Sequence, residues 1–162
     1  MTNTTQLGLP LVQASQAQKH VTVNEALARL DGLVALTIQS QSVATPPAVA
    51  SDGTAYSVPI GAVNEWVGQE GKLAVSRNGG WDFATPKRGW RSFVVDEGLQ
   101  AIHDGVSWRS GMATLTSKNA GMSLKVVQSD HVIGAGSTSV TANLIPANTV
   151  VFGVTARVVA DL

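Results

Sequence analysis

Cysteine is absent from the 162-residue chain, so disulfides and thiolate-held metals are excluded. Charge is scarce: Asp, Glu, Lys and Arg make up 14% of the residues, against about 25% in an average globular protein. Eleven basic and eleven acidic side chains cancel. A balanced, charge-poor chain has no electrostatic footprint for nucleic acid or an anionic membrane, and neither partner is expected. No apolar run approaches the roughly 20 residues that span a bilayer. The opening stretch MTNTTQLGLPLVQ has neither a basic n-region nor an apolar h-region. A secretory signal is therefore not expected, and synthesis in the cytoplasm is.

Catalytic signatures are equally thin. His20, His103 and His131 lie in separate segments, whereas a metal site needs three or four convergent ligands. No nucleophile elbow is present. The GAGS run at 134–137 lacks the Lys and the strand–loop–helix context of a phosphate loop. Glu70 and the pair Asp96-Glu97 flank turn glycines, where solvated turn residues are the better reading than glycosidase carboxylates. Neither enzymatic activity nor a cofactor is expected.

What is present is a Gly-, Ser-, Thr- and Val-rich composition with 44% hydrophobic residues, enough to bury a core. The fold class is mainly β, and the chain divides into six stretches. Residues 1–21 read as an extended docking arm, ordered only by contact. Residues 22–40 read as a helix: Thr22 with Glu25 three residues on makes a capping-box signature. Val23, Leu27, Leu30 and Val34 follow at spacings of four, three and four. That stripe suits a helix packed on its own domain, and equally the seam of a short coiled coil between subunits. Gly32 weakens such a helix by about 1 kcal/mol relative to Ala. Residues 41–55, with Pro46-Pro47, read as a linker.

Residues 56–109 contain a repeat. At a shift of 27, Pro59, Trp66, Ala74, Val75 and Trp81 meet Pro86, Phe93, Ala101, Ile102 and Trp108. Glu70-Gly71 likewise meets Glu97-Gly98, while Asn78-Gly79 and Asp104-Gly105 fall one residue out of step. Asn-Gly and Asp-Gly between apolar segments favour type I′ hairpin turns. Each unit, roughly 59–81 and 86–108, thus predicts strand, Glu-Gly turn, strand, Asx-Gly turn and a strand carrying Trp. Two such units are expected to close a small antiparallel sheet or barrel, with the duplicated Trp in its core.

Residues 110–121 read as a second linker, and 122–162 as a C-terminal antiparallel β region. Residues 122–128, 138–144 and 150–158 alternate with period two, the pattern of strands with one buried face. A sheet that stops near Leu162 is expected either to be completed by another subunit or to mark a truncated chain.

All four Trp lie within the repeat region. Their rings suit a sheet core; Trp faces beside Asp, Asn and Arg also suit stacking on sugars. Trp90 stands out because its counterpart in the first unit is Val63 or Ala62, so the repeat does not require an aromatic there. It lies between Arg88 and Arg91, and Arg stacks on Trp. Trp90, Arg88 and Arg91 are the candidate glycan-binding residues. Val23, Leu27, Leu30 and Val34 are the candidate oligomer interface.

The blocks LPLVQASQAQKHVTVNEALARLDGLVAL, GTAYSVPIGAVNEWVGQEGKLAVSRNGGWDF and GWRSFVVDEGLQAIHDGVSW resemble an uncharacterised domain of spike, fibre and tail proteins from alphaproteobacterial phages, prophages and gene transfer agents. The likeness covers about Leu7 to Trp108. It implies a virion component located on a phage-like particle, a homo-oligomeric spike or fibre base that supports host adhesion. The implied partners are further copies of itself, as trimer or pentamer; other virion proteins such as capsid, portal, tail or fibre tip; and host surface polysaccharide. The family brings no catalytic residues with it. A carbohydrate-binding module that contacts host or capsular polysaccharide directly is the alternative.

Overall fold

The computed structural model describes residues 3–13, 19–132, 136, 138, 140, 144, 145, 147 and 149–157. They fall into two units, residues 1–124 and 125–162. The described residues of the first are mainly β, as expected, with one α-helix and one sheet.

Helix α1 spans Lys19–Leu33, so Thr22 lies inside its first turns and is not the N-cap. Its end comes earlier than Ser40. Val34 still donates to the Leu30 carbonyl, but Ala35 adopts φ 54°, the left-handed conformation that commonly closes a helix. The chain then enters strand β1, Thr37–Ile38. Its β-branched residues favour an extended backbone, and only two are needed because this strand is central.

Strands β2 (Ala55–Ser57), β3 (Leu73–Arg77) and β4 (Gly80–Ala84) form one antiparallel meander. Strands β5 (Arg91–Val94), β6 (Leu99–His103) and β7 (Trp108–Ser110) form the other. Among the described residues the order is β4-β3-β2-β1-β5-β6-β7. Strand β1 pairs in parallel with both β2 and β5, so the sheet is mixed and not wholly antiparallel. Parallel pairing needs a crossover of a dozen or more residues, and Gln39 to Thr54 provides it. The stretch read as a linker is therefore a crossover, and it stays close to the fold: Pro46 is buried and Val63 donates to the Ala44 carbonyl at 3.0 Å.

The two repeats do not fold identically. In the second, β5, β6 and β7 follow the expected order. In the first, the leading strand is replaced by a single 3₁₀ turn, Asn64–Trp66, entered through Asn64 at φ 54°. This turn drives Trp66 to full burial, whereas its counterpart Phe93 is 44% exposed. Asn78 and Gly79 both have positive φ (51° and 75°), which is the type I′ requirement. Asp104 does not share that conformation. Its carboxylate instead accepts the Val106 and Ser107 N–H groups, each at 2.8 Å, and closes a longer turn.

Two hydrophobic clusters result. One contains Leu36, Ile38, Ala55, Leu73, Val94, Ala101 and Trp108, with Leu33, Val75, Ala84 and Trp90 against it. The other, on the opposite face of the first meander, contains Val58, Ala62, Trp66 and Ala74, with Tyr56, Trp81 and Phe83. Equivalent residues of the repeat thus face different cores: Ala74 and Trp81 one, Ala101 and Trp108 the other. Topology dictates this. Two like meanders that start on parallel strands and step away in opposite directions superimpose only when one is turned over. The duplicated Trp is core in both copies, but not of the same core.

In the second unit no strand forms among the described residues of 125–157. Val126, Val132, Val150, Phe152 and Val154 are each at least three-quarters exposed. The expected strand at 122–128 is reduced to a single bridge, Met112 with Ser123. An alternating segment becomes a strand only when another strand completes its ladder. Much of 138–144, and residues 158–162, lie outside the described residues.

Candidate functional site

Trp90 immediately precedes β5 and is half-buried against the first cluster. Its carbonyl accepts the His103 N–H at 2.9 Å, which fixes the backbone across to β6. With Leu33, Leu36 and Arg91 it borders a small cavity of about 210 Å³. Arg88 does not join this group. Its guanidinium donates to the Asp104 and Thr116 carbonyls, each at 2.5 Å, and to Asn119 Oδ1 at 2.8 Å. It thereby pins the 116–119 turn, within the stretch read as a linker, to the β6–β7 turn. Trp90 and Arg91 come together; Arg88 is committed elsewhere. The other rings are mainly core, with Trp66 centred 5.4 Å from Tyr56 and 5.1 Å from Trp81.

Two buried titratable residues stand at the β6–β7 turn. Gly105 N–H donates to His103 Nδ1 at 3.2 Å, which places the ring hydrogen of the neutral imidazole on Nε2. His103 packs edge-on to Trp108 at 5.0 Å. Burial lowers its pKa below 6.5, partly opposed by the Asp104 charge. Asp104 is held well below the ordinary carboxylate range by the Ser107 N–H, against the effect of burial, with Val106 N–H and Arg109 adding to the lowering. Arg109 Nε lies 2.7 Å from Asp104 Oδ2. These contacts account for Asp104, whereas His103 Nε2 is buried without a hydrogen-bond partner among the described residues.

Helix α1 turns its Asn24, Ala28, Asp31 and Gly32 side inward. A Cβ on Gly32 would lie 3.3 Å from Val75 Cγ1, so the glycine permits close approach to β3. The candidate oligomer stripe is left outside: Val23, Leu30 and Val34 are 43%, 50% and 44% exposed, and Leu27 is half-buried.

The inward polar residues hold the N-terminal stretch. Asp31, 4% exposed, accepts Thr4 Oγ1 at 2.7 Å, Leu7 N–H at 2.7 Å and Gln6 N–H at 2.9 Å. Burial by itself would raise its pKa, but the hydrogen bonds from Gln6, Thr4, Leu7 and Thr5 hold it below 3.8. Asn24 engages both backbone groups of Val12, accepting at 2.9 Å and donating at 3.0 Å. Residues 3–13 are thus folded onto the chain's own helix, and not extended away from it as expected of a docking arm.

Sequence reasoning missed a cleft of about 490 Å³ between α1, the N-terminal stretch and the β3–β4 hairpin. Ala28, Leu33, Val75 and Ala84 give its lining an aliphatic part, and Arg29, Asp31, Asp52, Arg77 and Asp82 a charged one. Arg77 Nη1 and Asp82 Oδ2 form an ion pair at 3.2 Å, and Asp52 Oδ1 accepts the Asn78 N–H at 2.9 Å. Only the folded order of four separate segments assembles these groups.

Among the described residues, no group of three or more His, Asp or Glu could hold a metal ion. No helix of the described residues is long and apolar enough to cross a membrane. A family model described as "Protein of unknown function (DUF2793)" matches residues 23–109, more than half of the chain. The match starts within α1 and ends within β7, and it covers most of the helix, both meanders and most of the cleft. No curated protein matches the chain.

Proposed function

The chain belongs to the DUF2793 family, and we propose that it is a structural subunit of a phage-like particle, a homo-oligomeric spike or fibre base that supports host-surface adhesion. One observation carries the assembly part of this reading: apolar surface is left uncovered in an orderly pattern. Val23 and Leu30 on α1, with Val34 just past its end, form an exposed stripe at coiled-coil spacing. Residues 149–157 alternate with period two, yet Val150, Phe152 and Val154 stay exposed. Monomeric soluble proteins rarely leave ordered apolar surface of this kind uncovered. Copies of the same chain supply the matching seam and the missing ladder partners, which suits a trimer or pentamer. The particle context rests on the sequence resemblance across Leu7 to Trp108.

Native mass spectrometry of the full chain tests assembly. A discrete oligomer that dissociates in the Val23→Glu/Leu30→Glu double variant supports the reading, and a monomer at tens of micromolar overturns it. The particle assignment is tested separately, by asking whether the tagged chain co-sediments with particles from its host. Absence from purified particles removes that assignment and leaves the oligomer standing.

A further inference from the structure

We infer that the cleft between α1 and the β3–β4 hairpin is a binding site for a neutral sugar residue. The volume of about 490 Å³ falls within the roughly 300–1,000 Å³ of small-molecule sites. The chemistry of the lining then narrows the ligand. Arg29 and Arg77 bring two positive charges, and Asp52 and Asp82 bring two negative ones. Asp31, at the arm side, is already engaged by its three donors. Those donors are neutral and leave its charge in place, so the lining sets three carboxylates against two guanidinium groups, which disfavours an anion.

The lining also offers donors and acceptors side by side. Each carboxylate oxygen accepts through two lone pairs, and a guanidinium carries five N–H donors. After the Arg77–Asp82 pair and the Asp52–Asn78 contact form, both carboxylates can still accept and both guanidinium groups can still donate. Vicinal hydroxyl groups, each donor and acceptor at once, complement that arrangement, whereas an apolar ligand would leave charged groups desolvated and unpaired. The Arg77–Asp82 contact also holds one donor and one acceptor in fixed relation before the ligand arrives, which lowers the ordering cost of binding. The aliphatic part of the lining, Ala28, Leu33, Val75 and Ala84, suits the C–H face of a pyranose. Trp90 is not part of this cleft, so the site differs from the one its sequence context suggested. It is also independent of the assembly proposal, because α1 turns its Val23–Leu30 stripe away from it.

The experiment is saturation-transfer NMR and calorimetry on the full chain. The probes are methyl glycosides of glucose, galactose and mannose, oligosaccharides of the same hexoses, and the corresponding uronates. At least one neutral hexose is expected to bind. Asp82→Ala is expected to weaken that binding by roughly 10-fold or more, the scale of a lost charge-assisted hydrogen bond. Asp82 is about half exposed, so this variant is expected to keep the wild-type melting temperature. Arg29→Ala, at an exposed position, is the second variant and is expected to act the same way. Tighter binding of the oligosaccharides than of methyl glycosides identifies a polymer as the source; equal binding identifies free sugar. Three outcomes overturn the proposal: no neutral hexose binds at tens of millimolar, only uronates bind, or binding is unchanged in both variants. Loss in Trp90→Ala alone would move the site away from the cleft.

Discussion

The Asp31 carboxylate and the Leu7 backbone N–H meet at 2.7 Å, and through this contact the helix dictates where the N-terminal stretch goes. Thr4 and Gln6 complete the grip. Removing the acceptor strands three donors at once. Asp31→Ala is expected to cost about 2–3 kcal/mol, the range for orphaning groups bonded to a charge. Hydrogen exchange should show residues 3–13 losing protection first, while β3 and β6 keep theirs.

Stability should fall in two steps on acidification. The pKa of His103 is lowered from 6.5 in the folded state, so the unfolded chain takes up the proton first. The His103 contribution is complete above pH 6.5 and declines as pH drops below that value toward the folded pKa. Asp31 is lowered from 3.8; its contribution is present above pH 3.8 and is lost as pH falls through the still lower folded value. Asp104 acts in the same sense as Asp31. Thermal melts from pH 8 to pH 3 check this, and His103→Gln should abolish the first step only.

Gly32 divides propensity from packing. Ala at a helix interior normally gains about 1 kcal/mol over Gly. Here its Cβ would press on a Val75 methyl at 3.3 Å, so Gly32→Ala should change stability by less than about 1 kcal/mol in either direction. Gly32→Leu should cost about 1–3 kcal/mol by overpacking. Denaturant titration of the pair separates the two effects.

Ser92 is 6% exposed, and its hydroxyl has no protein partner. Ser92→Ala removes a desolvated polar group and is expected to be neutral or stabilising by up to about 1 kcal/mol. A loss above that would show that the hydroxyl is satisfied in solution.

The sequence made the β character legible because the hairpin signals are local: Asn78-Gly79 satisfies its turn with its own backbone dihedrals. Asp104-Gly105 carries a similar signal and folds otherwise, since its carboxylate closes the turn on Val106 and Ser107, a choice that dipeptide chemistry does not record. Strand β1 was hidden because Thr37 and Ile38 continue a helical apolar pattern, and only partners from both meanders make two residues a central strand. Of the candidate site residues, spacing put Val23, Leu30 and Val34 on one stripe without deciding which way it faces; their exposure belongs to the fold. That Arg88 is engaged by Thr116 and Asn119 was not legible, because those contacts span distant sequence. The cleft left no local signal at all.

Turning one meander over relative to its twin separates the two duplicated Trp energetically. Trp81 and Trp108 occupy matching positions but belong to different clusters with no shared member, so the costs of Trp81→Phe and Trp108→Phe should simply add. The first cluster still joins the copies, since Leu73 and Val75 of one pack with Ala101 and Trp108 of the other. One repeated Trp signal thus answers to two separate packing environments, one on each face of the first meander's sheet.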